Sequence, residues 1–161
     1  MQSNVTEKDM RHWLRSVWSR GKGGVGVQWV EPTSGSSVGF PDALLPVWPA
    51  LLPVELKLSK KTSSKYVASV RPVQRRFHTL MRANDMFSCF LLGVGDQKCF
   101  DIWLAHNSRV VWDHHDEPGE VLIASKQTVN ATISRMQLIS ELLHLMNRHN
   151  QVLLQVPGDG L

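Results

Sequence analysis

The sequence predicts an α/β fold: a mixed central β-sheet flanked by helices, extended by a C-terminal hairpin and a long helix. Three observations carry this expectation. Residues 6–20 place Met10, Trp13, Leu14, Val17 and Trp18 on one face at helical spacing. Residues 43–48 and 51–58 are apolar and strand-like and lie close enough to pair. Residues 86–94 form an almost continuous apolar run behind a helix, which suits a buried strand parallel to its neighbour. The 161 residues, 42% hydrophobic and 20% charged, fit one domain spanning 1–161, with a core over about residues 7–95 and an extension over about 96–161.

In order along the chain, Thr6 is the expected N-cap of the first helix, and Asp9 completes a capping box three residues on. Gly21 suits the position just past the helix end, and the glycine run that follows lacks the Gly-Lys-Ser/Thr ending of a nucleotide-binding loop. Residues 27–31 read as a short strand. Pro46, Pro49 and Pro53 limit regular pairing, so the 43–58 hairpin is expected to turn between Pro46 and Pro49. Residues 59–69, polar and lysine-rich, read as a loop. Pro72 suits the first position of a second helix reaching Ala83, with Val73, Phe77, Leu80 and Met81 facing inward. Residues 100–105 and 109–113 read as a hairpin around a turn at 106–108. Residues 128–149 read as the long helix, with Val129, Ile133, Met136, Ile139, Leu142, Leu143 and Met146 as its inner stripe. Leu138 and Leu145 fall off that stripe and offer a surface to a second copy.

The hairpin gathers charge. Asp42 begins its first strand, Glu55 comes late in its second, and period-2 alternation sends Glu55 and Lys57 to one face while Leu56 points to the core. Two adjacent carboxylates repel, and charges amid apolar strands cost several kcal/mol unless compensated. A divalent cation answers both problems. Mg²⁺ accepts one or two carboxylates and retains several waters, polarises phosphoryl oxygens and acidifies water, and a nearby lysine can orient that water. Such a set suits phosphodiester hydrolysis, although an isolated Glu-x-Lys is more often a buried ion pair.

Pro41-Asp42 and Glu55-Leu56-Lys57 resemble the two halves of the PD-(D/E)XK nuclease signature. The lead-in Ser34-Gly35-Ser36-Ser37-Val38-Gly39 is similar to the Ser-Gly-x-Gly-x-Pro-Asp loop of the VRR-NUC branch and of Holliday junction resolvases, with one extra residue. Val70-Arg71-Pro72-Val73-Gln74, followed by Phe77 and Leu80, resembles that branch's glutamine-bearing helix. The resemblance covers roughly residues 7–95 and implies a restriction-endonuclease-like core. It implies Mg²⁺ or Mn²⁺ held by Asp42, Glu55, the Leu56 carbonyl and Glu7, with Lys57 positioning water and Gln74 supporting it. Glu7 has a plainer reading too, since an acid in a first helical turn favours the helix dipole.

Charge points the same way. Eight basic residues and no acidic one lie between Lys57 and Arg82, whereas residues 85–161 hold five basic and nine acidic. Lys60, Lys61, Lys65, Arg71, Arg75 and Arg76, with Ser34 and Ser37 in the lead-in loop, are the candidate DNA contacts. Trp112-Asp113-His114-His115-Asp116 reads as a solvated loop in preference to a metal cluster, because adjacent histidines diverge on most backbones. Cys89 and Cys99 have no metal-ligand spacing and suit a reduced compartment. No apolar run approaches a membrane span and the N-terminus is polar, so a cytoplasmic protein is expected. The expected activity is metal-dependent DNA cleavage, possible on branched DNA such as a junction or flap, by a homodimer. The alternative is a DNA-binding or assembly protein that keeps the scaffold without cutting.

Overall fold

A computed structural model describes residues 5–19, 26–30, 39–47, 50–61, 66–95, 100–106, 110–112, 120–123, 127–130 and 132–154. The chain is mixed α/β. Helix α1 (Glu7–Ser19) precedes strands β1 (Gln28–Trp29), β2 (Ala43–Val47), β3 (Ala50–Leu58), β4 (Lys60–Lys61) and β5 (Tyr66–Ser69). Helix α2 (Pro72–Ala83) follows, then β6 (Cys89–Gly95), β7 (Phe100–His106), β8 (Val110–Trp112), β9 (Glu120–Ile123), β10 (Gln127–Asn130) and helix α3 (Arg135–Leu154). One six-stranded sheet has the order β1-β2-β3-β6-β7-β10, and a four-stranded sheet has the order β4-β5-β9-β8. In the larger sheet β3 and β6 run parallel and the other neighbours antiparallel.

Helix α1 starts where expected: the Thr6 N–H donates to Asp9 Oδ2 at 2.8 Å and the Asp9 N–H donates to Thr6 Oγ1 at 3.2 Å, satisfying donors that a helix start leaves open. Its stripe of Met10, Trp13, Leu14, Val17 and Trp18 packs with Leu45, Leu52, Val54, Leu56, Leu91, Ile102 and Leu104 on one face of the sheet. Leu138 and Leu142 of α3 join the same layer. On the opposite face Phe90, Leu92 and Ala105 pack with Ala68 and Val70, and α2 lays His78 against Phe90 with ring centroids 4.1 Å apart. Helices thus flank both faces. Cys89 is free and buried in the first layer. Among the described residues no helix is long and apolar enough to cross a membrane.

The hairpin forms with Ala43 opposite Val54 and Val47 opposite Ala50, and Pro46 and Pro53 stand inside it as partners of Leu51 and Leu44. Neither breaks it. β1 pairs with β2 only at Ala43 and Leu44, and β6 joins β3 only from Val54 onward. The missing amide hydrogens therefore limit pairing with the outer neighbours and leave the hairpin's own ladder intact.

Five expectations are corrected. Residues 59–69 are not simply a loop: β4 and β5 pair there, because Ala68 finds a buried apolar place beside Phe90 and Leu92. Residues 100–113 are not one hairpin; β7 is claimed by β6 and β10, and β8 pairs with β9 in the other sheet. The long helix begins at Arg135, since Thr128 and Val129 extend into β10, and Ser134 caps it through a reciprocal pair with Gln137 at 2.9 and 3.3 Å. Of the expected stripe, Leu142 is buried and Ile133, Ile139 and Met146 pack against the core as expected, whereas Met136 and Leu143 are exposed; Leu138, off that stripe, is buried and belongs to the chain's own core. Leu145 is half-buried against that core. In α2 the buried residues are Gln74 and His78, and Val73 and Leu80 are exposed.

Candidate active site

The larger sheet and the starts of α1 and α2 bring the site together. The β2–β3 ladder, continued one step past Ala43 and Val54, sets Asp42 beside Glu55. Alternation along β3 buries Leu56 in the α1 layer and turns Glu55 and Lys57 to the α2 face. Asp42 closes the end of the hairpin, accepting the Leu56 N–H on Oδ2 at 2.9 Å and the Arg11 guanidinium on Oδ1 at 3.2 Å.

Glu55 is fully buried. Its Oε1 accepts Lys57 Nζ at 3.0 Å and the Gln74 side-chain amide. The Gln74 amide is held the right way round because its Oε1 accepts the Arg71 N–H at 3.1 Å, the capping box of α2. Glu55 Oε2 is buried without a hydrogen-bond partner among the described residues. Burial above all, and then the neighbouring Asp42, push the Glu55 carboxyl up to about 8 against the opposing pull of Lys57. Lys57 also lies 4.0 Å from Glu7, a half-exposed carboxylate on the first turn of α1.

One turn beyond Gln74, the His78 Nδ1 lies 2.8 Å from Ser88 Oγ, and its Nε2 is buried without a partner among the described residues. Burial, and secondarily the Lys57 charge, lower His78 to about 3, so it stays neutral behind the site. Gly39 fixes the approach to Pro41-Asp42. Its φ is +99°, and a Cβ there would stand 2.6 Å from the Val73 carbonyl oxygen, so the lead-in can lie against the start of α2 only with glycine.

Of the expected site residues, Asp42, Glu55, Lys57 and Gln74 converge, Leu56 joins them through its N–H, and Glu7 reaches the group through Lys57. Arg71 and Arg76 are exposed, and Arg75 is half-buried on α2. Ser34, Ser37 and Lys65 lie outside the described residues, as do the side chains of Lys60 and Lys61 and the 113–116 segment. Sequence reasoning missed Arg11, four residues after Glu7, and His78, four after Gln74; the helical repeat was the signal available for both.

A hard divalent cation fits the donor set. Asp42 and Glu55 stand close enough that burial and Asp42 keep a proton on Glu55 up to about 8, and a divalent cation joining the two carboxylates would replace that proton. Among the described residues no group of three or more His, Cys, Asp or Glu could hold a metal, so any metal here would have Asp42 and Glu55 as its carboxylate ligands and water for the rest. Compared with family models, curated proteins and solved structures, the chain gives no match.

Proposed function

We propose that the protein is an Mg²⁺- or Mn²⁺-dependent DNA endonuclease with a restriction-endonuclease-like core of the PD-(D/E)XK kind. The observation that carries this reading is the juxtaposition of Asp42 and Glu55, with Lys57 held 3.0 Å from Glu55 and one Glu55 oxygen buried and unsatisfied. Trp18 Nε1 and His78 Nε2 are also buried without a partner among the described residues, so the support comes from the place of this oxygen, beside a second carboxylate and a lysine, where a cation can take over from the proton that burial and Asp42 keep on Glu55.

In this reading Asp42, Glu55 and the Leu56 carbonyl bind the metal, which supplies Lewis acidity to a phosphoryl oxygen and acidifies a water. Lys57, restrained by Glu55 and Glu7, orients the attacking water and neutralises charge growing on the phosphate. Gln74 keeps Glu55 Oε1 turned away, so that Oε2 is the oxygen left for the metal. Arg71, Arg75 and Arg76 at the start of α2 take the DNA backbone. Symmetric cleavage of a duplex or junction needs two sites related by a two-fold axis, and among the described residues of α3 the large apolar side chains exposed to a second copy are Met136 and Leu143.

The test is incubation of the purified chain with linear, flap and four-way-junction DNA, each with Mg²⁺, Mn²⁺ or EDTA. Cleavage is expected with either metal and not with EDTA. Binding without cleavage under every condition would replace this reading with the non-catalytic DNA-binding one. Light scattering tests the dimer, since 18.2 kDa is readily separated from twice that mass.

A further inference from the structure

Arg11 holds a position that a plain metal site does not require. Its guanidinium sits on Asp42 Oδ1 at 3.2 Å, the oxygen left over once the Leu56 N–H has taken Oδ2. The same guanidinium lies over the Trp29 ring, 5.3 Å from its centroid, and Arg15 lies over that ring at 5.8 Å. Four residues of helix separate the two arginines by a rise of about 6 Å along α1. Two like charges thus lie against one aromatic ring. Among the described residues the pair has a single carboxylate, Asp42, and Arg15 has none. The Arg11 side chain is 40% exposed, so it stands at the rim of the site with room to turn outward.

A carboxylate oxygen cannot give full strength to a guanidinium and a divalent cation together, so a cation at Asp42 competes with Arg11. An arginine displaced from Asp42 keeps its stacking on Trp29 and joins Arg15 in a doubly cationic strip. A planar guanidinium pair of this kind suits phosphate oxygens. We infer that Arg11 is the counter-ion which a divalent cation replaces at Asp42, and that Arg11, once released, binds the nucleic-acid backbone beside Arg15. The inference rests on the metal-dependent nuclease reading and adds a strand contact on the α1 side of the site, away from the arginines of α2. Metal and DNA then favour each other's binding through one side chain.

The experiment is Mn²⁺ titration by calorimetry on the full chain without DNA, for wild type, Arg11→Ala, Arg11→Gln, Arg15→Ala and Asp42→Asn, with thermal melts to verify folding. Losing the competitor should tighten Mn²⁺ binding by roughly threefold to fivefold in both Arg11 variants, the size of a part-exposed ion pair. Arg15→Ala, which removes equal charge without freeing Asp42, should change it less. DNA binding is then measured in a Lys57→Ala background that leaves the strand uncut. Removing Arg11 should lower the salt slope by about one unit with Mn²⁺ present and by less without it. Mn²⁺ affinity that is unchanged or weaker in the Arg11 variants overturns the inference, since an arginine that merely orients Asp42 would give that result. A slope change equal with and without Mn²⁺ also overturns it. Wild type that takes up no Mn²⁺ sinks the nuclease reading as well; uptake abolished by Asp42→Asn keeps that reading and leaves the Arg11 variants to decide the inference alone.

Discussion

Successive residues of β3 enter two different interiors. Leu52, Val54 and Leu56 face α1 and α3, where the neighbours are Met10, Leu14, Leu91, Ile102, Leu138 and Leu142, and the layer contains apolar side chains on every element. Glu55 and Lys57 face α2, where the buried neighbours are Gln74 and His78, and two polar atoms, Glu55 Oε2 and His78 Nε2, lack partners among the described residues. One layer stabilises the fold, and the other draws on that stability to keep a glutamate buried beside an aspartate and a lysine. Substitutions on the two sides of one strand should therefore separate stability from activity.

The largest expected effect is on the apolar side. Leu56→Ala should cost about 2–5 kcal/mol of unfolding free energy, measured by denaturant titration, because the layer around it cannot collapse fully into the space. Next come Asp42→Asn, Glu55→Gln and Lys57→Ala, each expected to slow cleavage by roughly a hundredfold or more, about 2.7 kcal/mol. Above pH 8, where both carboxylates are ionised, the two carboxylate variants should leave stability unchanged or raised, because repulsion is relieved. A carboxylate variant that unfolds like Leu56→Ala, or that cuts at the wild-type rate, would erase the distinction between the two layers.

Protonation sharpens the contrast further. The folded state keeps a proton on Glu55 up to about 8, whereas an unfolded glutamate loses it near its ordinary value of 4.5. The folded state then binds more protons across that window, so metal-free stability is greatest at its acid end and falls as pH rises to about 8. His78 works in the opposite sense. Lowered to about 3, it refuses a proton that the unfolded chain accepts below 6.5, and stability is lost as pH falls through that range. Of these two groups, Glu55 alone contributes between 6.5 and 8, about 2 kcal/mol in all at one proton's 1.4 kcal/mol per pH unit. Denaturant titrations at pH 6.5 and 8.5 should show this loss in wild type and not in Glu55→Gln; an equal loss in both would place the titrating group elsewhere. The smallest effects belong to the rim. Alanine at Arg71, Arg75 or Arg76 should weaken binding to all DNA sequences alike and flatten the salt dependence by about one unit of slope per contact, and an unchanged slope would mean that α2 turns these arginines away from the strand.

Local chemistry made the apolar layer legible. The Thr6–Asp9 box, the α1 stripe, Pro72 at the start of α2 and the β6 run each depend on neighbours within a few residues, and each stands where the sequence suggests. The convergence of Asp42, Glu55 and Lys57 was legible too, because a hairpin register and a period of two suffice to fix it. The polar layer was not. An apolar stripe selects Val73 and Leu80 for the inside of α2, yet the surface awaiting that helix carries Glu55 and Ser88, so Gln74 and His78 face it instead. Arg11 could not be assigned without knowing where α1 lands relative to β2. In the C-terminal third, Val129 continues the apolar rhythm of the helix behind it, and only the Ser134–Gln137 box marks where strand gives way to helix.

Pro46 does more than tolerate its place in β2. The Asp42 carbonyl accepts the Val30 N–H at 3.0 Å, so Asp42 turns its backbone toward β1, and alternation turns Leu44 and Pro46 the same way. Beyond Leu44 no strand among the described residues pairs with this flank of β2, along a stretch whose side chains, Leu45 and Val47, are buried. A bare flank with free amide hydrogens would invite a strand from another molecule to dock. At Pro46 there is no hydrogen to offer. The residue that seemed to threaten the hairpin instead guards the sheet against growing sideways into an aggregate, and it does so two turns of the pleat from the carboxylates, without adding a charge to the site.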